Sequence, residues 1–252
     1  SVNAGSDLSG LDPHSFDGSG AHVVSGDHYV SPDGFDRNPR TEEKPWKTIQ
    51  KSAESAAPGS TVYIKGGTYH ERVDIKVSGT SADEPVTFRN YENDQVIIDG
   101  SGTSASDQGD VIRINDQSFV RLMGLEIANN TSKAEDGFIT GIGIWGKGEG
   151  IEILDCKIHE IRYSGGADSS DESEGAGARA IAVYGMDGSE PISGLVIDGN
   201  EIWDVSCGGG EVVTVSGNVD GFEFTNNYIH DNDSDGLVLA GDGKLKGKAV
   251  CT

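Results

Sequence analysis

Acidic residues recur in loops near positions 135, 170 and 231, each ahead of a similar strand-like segment. The last loop contributes Asp231, Asp233 and Asp235, and the first contributes Asp136. Carboxylate oxygens suit Ca²⁺, which takes about six to eight oxygen ligands in a flexible cage. Alternating Asp and Gly residues are also typical of ordinary turns. The spacing therefore predicts Ca²⁺ along this edge, with a purely local turn at 231–236 as the alternative.

Two basic residues lie close to these loops, and either could take part in proton transfer. Arg179 leads one strand-like segment, and Lys147 follows another. A base must first lose its own proton, which neighbouring carboxylates make harder. The alternatives are a surface salt bridge from Arg179 to Glu211 and Asp235, and a solvent-facing turn position for Lys147.

The segments that must position these residues alternate small or apolar residues with others and end on glycine. Four share this pattern, at 140–146, 179–185, 211–217 and 235–241. A second kind of segment follows the first three, at 151–158, 195–202 and 222–229. Period-two alternation predicts strands, and repetition at this spacing predicts a solenoid. We therefore expect one all-β coil of stacked parallel strands, a single-stranded parallel β-helix of roughly eight turns.

Aligning the glycine ends predicts which side chains share a face of the coil. The inward stack should contain Ile142, Ile181, Val213 and Leu237. One outward column should contain Thr140, Arg179, Glu211 and Asp235. A second outward column should contain Trp145, Tyr184, Ser216 and Ala240. The two aromatic rings should stack on adjacent turns, either as a platform for sugar rings or packed beneath the loop at 162–178.

The chain of 252 residues carries a formal net charge of −23. This charge excludes an electrostatic nucleic-acid binder, and no apolar run has the length needed to span a bilayer. The acidity indicates either a surface adapted to high salt or carboxylates gathered to hold metal. A polyanionic partner would need cations to bridge it to such a surface.

The two ends of the chain differ from the repeats. Residues 1–27 are rich in Ser, Gly and Asp and should form a flexible leader before a β-helix domain at 28–252. Ser1 in place of Met suggests a processed or trimmed start. The pattern at 45–57 predicts a capping α-helix over the open edge of the first turn. No closing helix follows at 244–252, so we expect a fragment, or a partner or second copy that covers this end.

Several stretches carry a resemblance to a known group of proteins: HYVSPDG, TEEKPWKTIQKSAESAAPGSTVYIKGGTYHERV, SGTSADEPVTFRNY and VIIDG. Over residues 28–130 the chain resembles the amino-terminal half of right-handed parallel β-helix polysaccharide lyases, which include pectate, alginate and chondroitin lyases. The resemblance implies a right-handed coil and a secreted protein that cleaves an acidic polysaccharide by β-elimination. In those families calcium commonly neutralises the substrate carboxylate, and a Lys or Arg acts as the base.

Carried onto this chain, the resemblance implies three sets of site residues. The base would be Arg179 or Lys147, and the loop carboxylates would hold Ca²⁺. Substrate-binding residues would be Trp145, Tyr184 and Glu211.

Two motif lysines of those families are missing, because Ala240 and Ser216 stand at the corresponding positions. Two other functions therefore stay open. One is a non-catalytic carbohydrate-binding or surface β-helix. The other is a glycoside hydrolase that uses two carboxylates, such as Glu211 and Asp235.

Overall fold

The computed structural model describes residues 26–101, 109–134, 137–165 and 176–241. Within these ranges the helix α1 spans Ile49–Ala53. The strands in chain order are β1 His28–Val30, β2 Thr61–Ile64, β3 Gly67–Tyr69, β4 Val73–Ile75, β5 Val86–Asn90, β6 Val96–Asp99, β7 Gly109–Asn115, β8 Val120–Met123, β9 Glu126–Ser132, β10 Phe138–Gly146, β11 Gly148–Glu149, β12 Glu152–Leu154, β13 Lys157–Tyr163, β14 Gly177–Gly185, β15 Ile192–Asp198, β16 Glu201–Ser206, β17 Val213–Gly217, β18 Val219–Thr225, β19 Tyr228–Ile229 and β20 Leu237–Ala240.

The strands form three parallel sheets that wind around one core. Sheet A contains β1, β2, β5, β8, β12, β15 and β18, with β11 beside β15. Sheet B contains β4, β7, β10, β14, β17 and β20, and sheet C contains β3, β6, β9, β13, β16 and β19. The chain passes through sheets A, C and B in that order and then repeats the circuit. The predicted all-β parallel β-helix is therefore confirmed.

The described residues form six complete turns, fewer than the roughly eight predicted. The estimate assumed about 20–25 residues per turn, but level partners such as Ile142 and Ile181 lie further apart in sequence than that. Loops between the strands take up the additional residues. The repeats are therefore regular in their strands and irregular in their connections.

The predicted inward stack is confirmed by the strand pairing. Ile142 pairs with Ile181, Ile181 with Val213, and Val213 with Leu237. The first three of these residues are fully buried, and Leu237 is partly buried against the same core. Leu239 in β20 is 49% exposed, because β20 pairs with β17 and is the outermost of the described strands of sheet B. Stacked aliphatic side chains thus set the register that also positions the outer face.

The helix α1 is shorter than the segment predicted at 45–57 and lies against the free edge of β4. It begins after Thr48, whose hydroxyl accepts a hydrogen bond from the Lys51 backbone N–H at 3.3 Å. The backbone N–H groups of Asp74 and Lys76 donate to Gln50 Oε1 at 2.7 Å and to the Ala53 carbonyl at 2.9 Å. These bonds occupy donors of β4 that would otherwise be unpaired. A role in closing the whole end of the coil stays a prediction.

The predictions for the two ends of the chain lie largely outside the described residues. This applies to residues 1–25 of the leader and to the segment at 244–252. No helix within the described ranges is long and apolar enough to cross a bilayer.

Candidate functional site

The outward side chains of β7, β10, β14 and β17, together with Glu211, form a surface that we call the outer wall. The strand register brings distant residues level with one another across this surface. Thr140 is level with both Asp110 and Arg179, and Trp145 is level with Asn115 and Tyr184. Between these two columns lies a third, which contains Arg113, Gly143, Ala182 and Thr214. The pairing of Thr140 with Arg179 and the column from Trp145 through Tyr184 and Ser216 to Ala240 are confirmed, and Asp110, Arg113 and Asn115 extend the columns by one turn.

The aromatic rings of the outer wall form one cluster. Trp145 and Tyr184 stack with ring centroids 5.1 Å apart and an interplanar angle of 12°. Phe138 meets both rings edge-on, at 5.6 and 6.1 Å, and the Arg113 guanidinium lies 5.8 Å from the Trp145 ring centre. The rings therefore stack on each other and do not lie side by side as one flat surface. A sugar would meet ring edges or the remaining face of Tyr184, and this contact stays a prediction.

Asp110 anchors this cluster, and sequence reasoning missed it. Its Oδ1 accepts a 2.7 Å hydrogen bond from the Thr140 hydroxyl, and its Oδ2 accepts a 3.0 Å bond from the Trp145 indole N–H. Arg113 Nη1 lies 3.9 Å away. Burial raises the pKa of the Asp110 carboxyl. The sequence did contain a signal for Asp110. When the alignment of the glycine-ended segments is extended by one turn towards the N-terminus, Asp110 falls level with Thr140.

Gly143 allows Asp110 and Trp145 to meet. A Cβ at this position would overlap both the Asp110 carboxylate and the Trp145 indole nitrogen. We expect Gly143→Ala to break their hydrogen bond, change the Trp emission spectrum and destabilise the fold by about 1–3 kcal/mol, as overpacking does. Equilibrium denaturation and fluorescence would measure both effects.

The control for Gly143→Ala is Ala182→Gly at the level position of β14. It changes one Cβ in the opposite direction and should cost only about 0.5–1 kcal/mol. A Gly143→Ala protein with unchanged stability and emission would show that the packing around Asp110 is looser than described.

Arg179 is held in the outer wall rather than exposed on it. Its side chain is 8% exposed, and Nη2 lies 3.5 Å from Glu211 Oε2. Its Nε donates to the Thr214 hydroxyl at 3.2 Å, and Thr214 donates in turn to Glu211 at 2.9 Å. The guanidinium carbon lies 4.7 Å from the centre of the Phe138 ring. The alternative of a surface salt bridge is therefore corrected to an ion pair between a buried Arg179 and a partly exposed Glu211.

Asp235 does not join this pair as predicted. Its side chain is exposed, while its backbone carbonyl accepts a hydrogen bond from the Val212 N–H at 2.9 Å. The outward column therefore continues from Arg179 to Glu211 but not to Asp235.

Lys147 lies past the end of β10 and pairs with Glu190. Its backbone N–H donates to Asp116 Oδ1 at 3.1 Å. The hydrogen bond from the ammonium group to Glu190 raises the pKa of Lys147. Because this pairing holds the proton on the amine, the geometry works against the predicted role of Lys147 as a base.

The three aspartates predicted to hold calcium serve separate local functions. Asp231 Oδ2 lies 2.8 Å from His230 Nδ1, and this hydrogen bond raises the pKa of His230. Asp233 Oδ1 accepts a bond from the Cys207 backbone N–H at 2.8 Å. Across the described ranges, no group of three or more His, Cys, Asp or Glu side chains is placed to hold a metal ion. Asp136 and the acidic residues near position 170, which are expected along the same edge, lie outside the described residues, so the Ca²⁺ site stays a prediction.

A second aromatic ladder lies on sheet C, away from the outer wall. Trp203 stacks on His159, with ring centroids 4.2 Å apart, and on His230 at 6.1 Å. His159 Nε2 lies 3.1 Å from Glu126. The register of β13 and β16 explains the first of these contacts. Trp203 is therefore a stacked tryptophan on another face of the coil, and it can serve as a control for experiments on Trp145.

Fold and site together define a parallel β-helix protein with a polar and aromatic outer wall built across successive turns. The chain belongs to the Pel9A-like right-handed β-helix family, whose model matches residues 28–199. This match confirms the resemblance to right-handed β-helix polysaccharide lyases and gives the hand of the coil.

Two curated proteins are similar in sequence. The uncharacterized protein YwoF of Bacillus subtilis is 39% identical over 219 residues, which is 86% of this chain and 44% of that protein. Pectate lyase PEL9 of Emericella nidulans is 38% identical over 120 residues, which is 42% of this chain and 29% of that protein. The chain thus spans less than half the length of these relatives.

Two solved structures share the fold at low sequence identity. A lacto-N-biosidase from Eubacterium ramulus has a TM-score of 0.61 and 18% identity, covering 82% of this chain and 41% of that one. A rhamnogalacturonan lyase has a TM-score of 0.56 and 19% identity, and the match covers 86% of this chain and 62% of that one. At these identities the likeness shows the fold alone.

Proposed function

We propose that this β-helix binds an acidic polysaccharide along the outer wall and belongs to a lyase that cleaves the polymer by β-elimination. The observation that carries the proposal is Arg179, a cation buried in the outer wall of a chain whose net charge is −23. The similarity to a pectate lyase supports an acidic polymer as the substrate. A polymer of this kind is met outside the cell, so we also propose that the protein is secreted.

The chemistry of β-elimination sets the requirements for the site. A base removes the proton alpha to the uronate carboxylate, the electron pair forms a C=C bond, and the glycosidic C–O bond breaks. The leaving oxygen then takes up a proton. Negative charge develops on the carboxylate as the proton leaves, and a fixed cation stabilises it. Arg179 suits this electrostatic role because its position is set before substrate binds.

The same physics argues against Arg179 and Lys147 as proton acceptors. A guanidinium does not lose its proton in proteins, and Lys147 is held protonated by Glu190. We therefore keep Arg179 for charge neutralisation and assign no base among the described residues. Glu211 positions Arg179 through their ion pair, and Trp145 and Tyr184 border the polymer.

Hydrolysis by Glu211 and Asp235 is supported less well. Glu211 accepts a hydrogen bond from Thr214 and pairs with Arg179. Asp235 is exposed and makes its hydrogen bond through the backbone. Glu211 is thus already engaged by two partners, and this favours its role in positioning Arg179 over a role in hydrolysis.

The test is to incubate the protein with pectate, alginate or chondroitin sulfate and to follow the unsaturated uronate product at ~235 nm. We expect this absorbance to rise with at least one polymer. A parallel incubation with a chelator tests the predicted calcium requirement. New reducing ends without the absorbance would indicate hydrolysis, and binding with neither signal would indicate a non-catalytic module. Either of these results would overturn the lyase proposal.

A further inference from the structure

The ring of Tyr184 lies across the outer wall. It stacks on Trp145 with an interplanar angle of only 12°, and the Trp145 indole nitrogen lies over Gly143, where an added Cβ would overlap it. The Tyr184 ring follows the same course one turn later, because its hydroxyl forms a hydrogen bond with Thr214. Thr214 is level with Ala182, which is itself level with Gly143. The small residues of the middle column therefore make room for both rings.

The hydroxyl of Tyr184 joins a chain of polar groups in the outer wall. Its partner Thr214 also accepts a hydrogen bond from Arg179 Nε at 3.2 Å and donates one to Glu211 Oε2 at 2.9 Å. The side chains of Thr214 and Arg179 are buried, whereas Tyr184 is only partly buried. Of these three residues, Tyr184 is therefore the one that a polymer on the outer wall can contact.

The surroundings of Tyr184 hold its proton and also prepare for its loss. Burial raises the pKa of the phenol above the ordinary value of 10.0, and the charge of Glu211 adds to the rise. The charge of Arg179 and the hydrogen bond with Thr214 act in the opposite direction. The phenol thus keeps its proton at neutral pH, while Arg179 and Thr214 stabilise the phenolate that remains after transfer. This combination suits a proton donor better than a base.

We propose that Tyr184 is the catalytic residue that gives the leaving oxygen its proton during β-elimination. As the C=C bond forms, the electron pair of the glycosidic C–O bond goes to the leaving oxygen, which takes the phenolic proton. Water then returns a proton to the phenolate, and the hydroxide so formed takes up the proton that the base removed from the sugar. This inference rests on the proposed function, because it names a residue for one step of the same reaction.

The test compares two leaving groups in Tyr184→Phe, which removes the hydroxyl and keeps the stacked ring. Trigalacturonate has a leaving oxygen that needs a proton. A digalacturonate with 4-nitrophenoxide at C4 of its non-reducing sugar has a leaving group that departs without one. We expect Tyr184→Phe to lower kcat on trigalacturonate by about 100-fold or more, as loss of general acid catalysis does, and to leave kcat on the nitrophenoxide substrate little changed. Formation of the unsaturated uronate is measured for both substrates.

The matched control is Tyr63→Phe on sheet A. Tyr63 also stacks on another ring, that of Tyr29, with centroids 5.3 Å apart. Its substitution removes one hydroxyl from a partly buried tyrosine outside the outer wall, so kcat should stay unchanged on both substrates. Turnover of the nitrophenoxide substrate by Tyr184→Phe shows, in the same experiment, that this variant is folded and binds its substrate.

The possible results separate the role of Tyr184 from the lyase reaction itself. Equal losses of kcat on the two substrates would overturn Tyr184 as the proton donor, as would full activity of Tyr184→Phe on trigalacturonate. In both cases the unmodified protein still forms the unsaturated product, so β-elimination stands. If the unmodified protein forms no unsaturated product from either substrate, β-elimination is refuted and the role of Tyr184 with it.

Discussion

Replacing Asp110 with alanine is expected to lower the free energy of unfolding by about 1.5–4.5 kcal/mol, because a buried donor loses its acceptor at about 1–3 kcal/mol and a partly buried donor loses a typical hydrogen bond of about 0.5–1.5 kcal/mol. The donors are the Thr140 hydroxyl and the Trp145 indole N–H. The Asp110 side chain is only 3% exposed, so water does not replace the lost acceptor. Urea denaturation measures the change. A loss below about 0.5 kcal/mol, the lower bound for a typical net hydrogen bond, would contradict the network.

Asp110→Asn gives the matched control, because it has the same shape but does not titrate. Burial raises the pKa of the Asp110 carboxyl above its ordinary value of 3.8. The folded protein therefore holds this proton more tightly than the unfolded chain does, and the contribution to stability is present at low pH and lost as the pH rises through the raised pKa. The stability of the unmodified protein relative to Asp110→Asn should increase as the pH falls from neutral towards 3.8. A difference that stays constant would refute the raised pKa.

Ile181→Ala is expected to destabilise the fold by about 2–5 kcal/mol, as large-to-small substitutions in a packed core do. Ile181 is fully buried and lies between Ile142 and Val213 in the inward stack. Because these contacts join three successive turns, a cavity here weakens the register on which the outer wall depends. The same denaturation experiment measures the effect.

Leu239→Ala is the control for Ile181→Ala, since Leu239 points the same way in β20 but is 49% exposed. Its cost should be well below that of Ile181→Ala, because less apolar surface leaves the core. Similar costs at the two positions would mean that the inward stack is not a continuous core.

The register between strands of successive turns could be predicted from the sequence, because stacking in the coil requires the apolar residues of each strand to face the core. Each glycine-ended segment alternates inward and outward residues, and a slip by one residue would expose the whole aliphatic stack. Aligning Gly146 with Gly185 therefore placed Trp145 level with Tyr184, as the structure shows. The length of the connections carries no such constraint, which explains why a fixed repeat length predicts more turns than the six that the described residues form.

The environment of individual side chains could not be predicted in the same way. The burial of Arg179 depends on Phe138 from the preceding turn, and no local pattern around Arg179 signals that contact. The hydrogen bond from Trp145 to Asp110 likewise joins two turns. For the aspartates at 231–235, turn chemistry and metal binding use the same residue types. In the structure Asp233 accepts a bond from the Cys207 backbone, a contact between successive turns of the coil that neither alternative predicts.

An acidic polymer that lies along the outer wall, as proposed, must contact the region of Trp145. Fluorescence titration with oligogalacturonate tests this contact most directly, using Trp145→Phe and Trp203→Phe as a pair. We expect the unmodified protein to show a change in Trp emission that persists in Trp203→Phe and disappears in Trp145→Phe. A change that disappears in Trp203→Phe and persists in Trp145→Phe would place the polymer on sheet C and contradict the account.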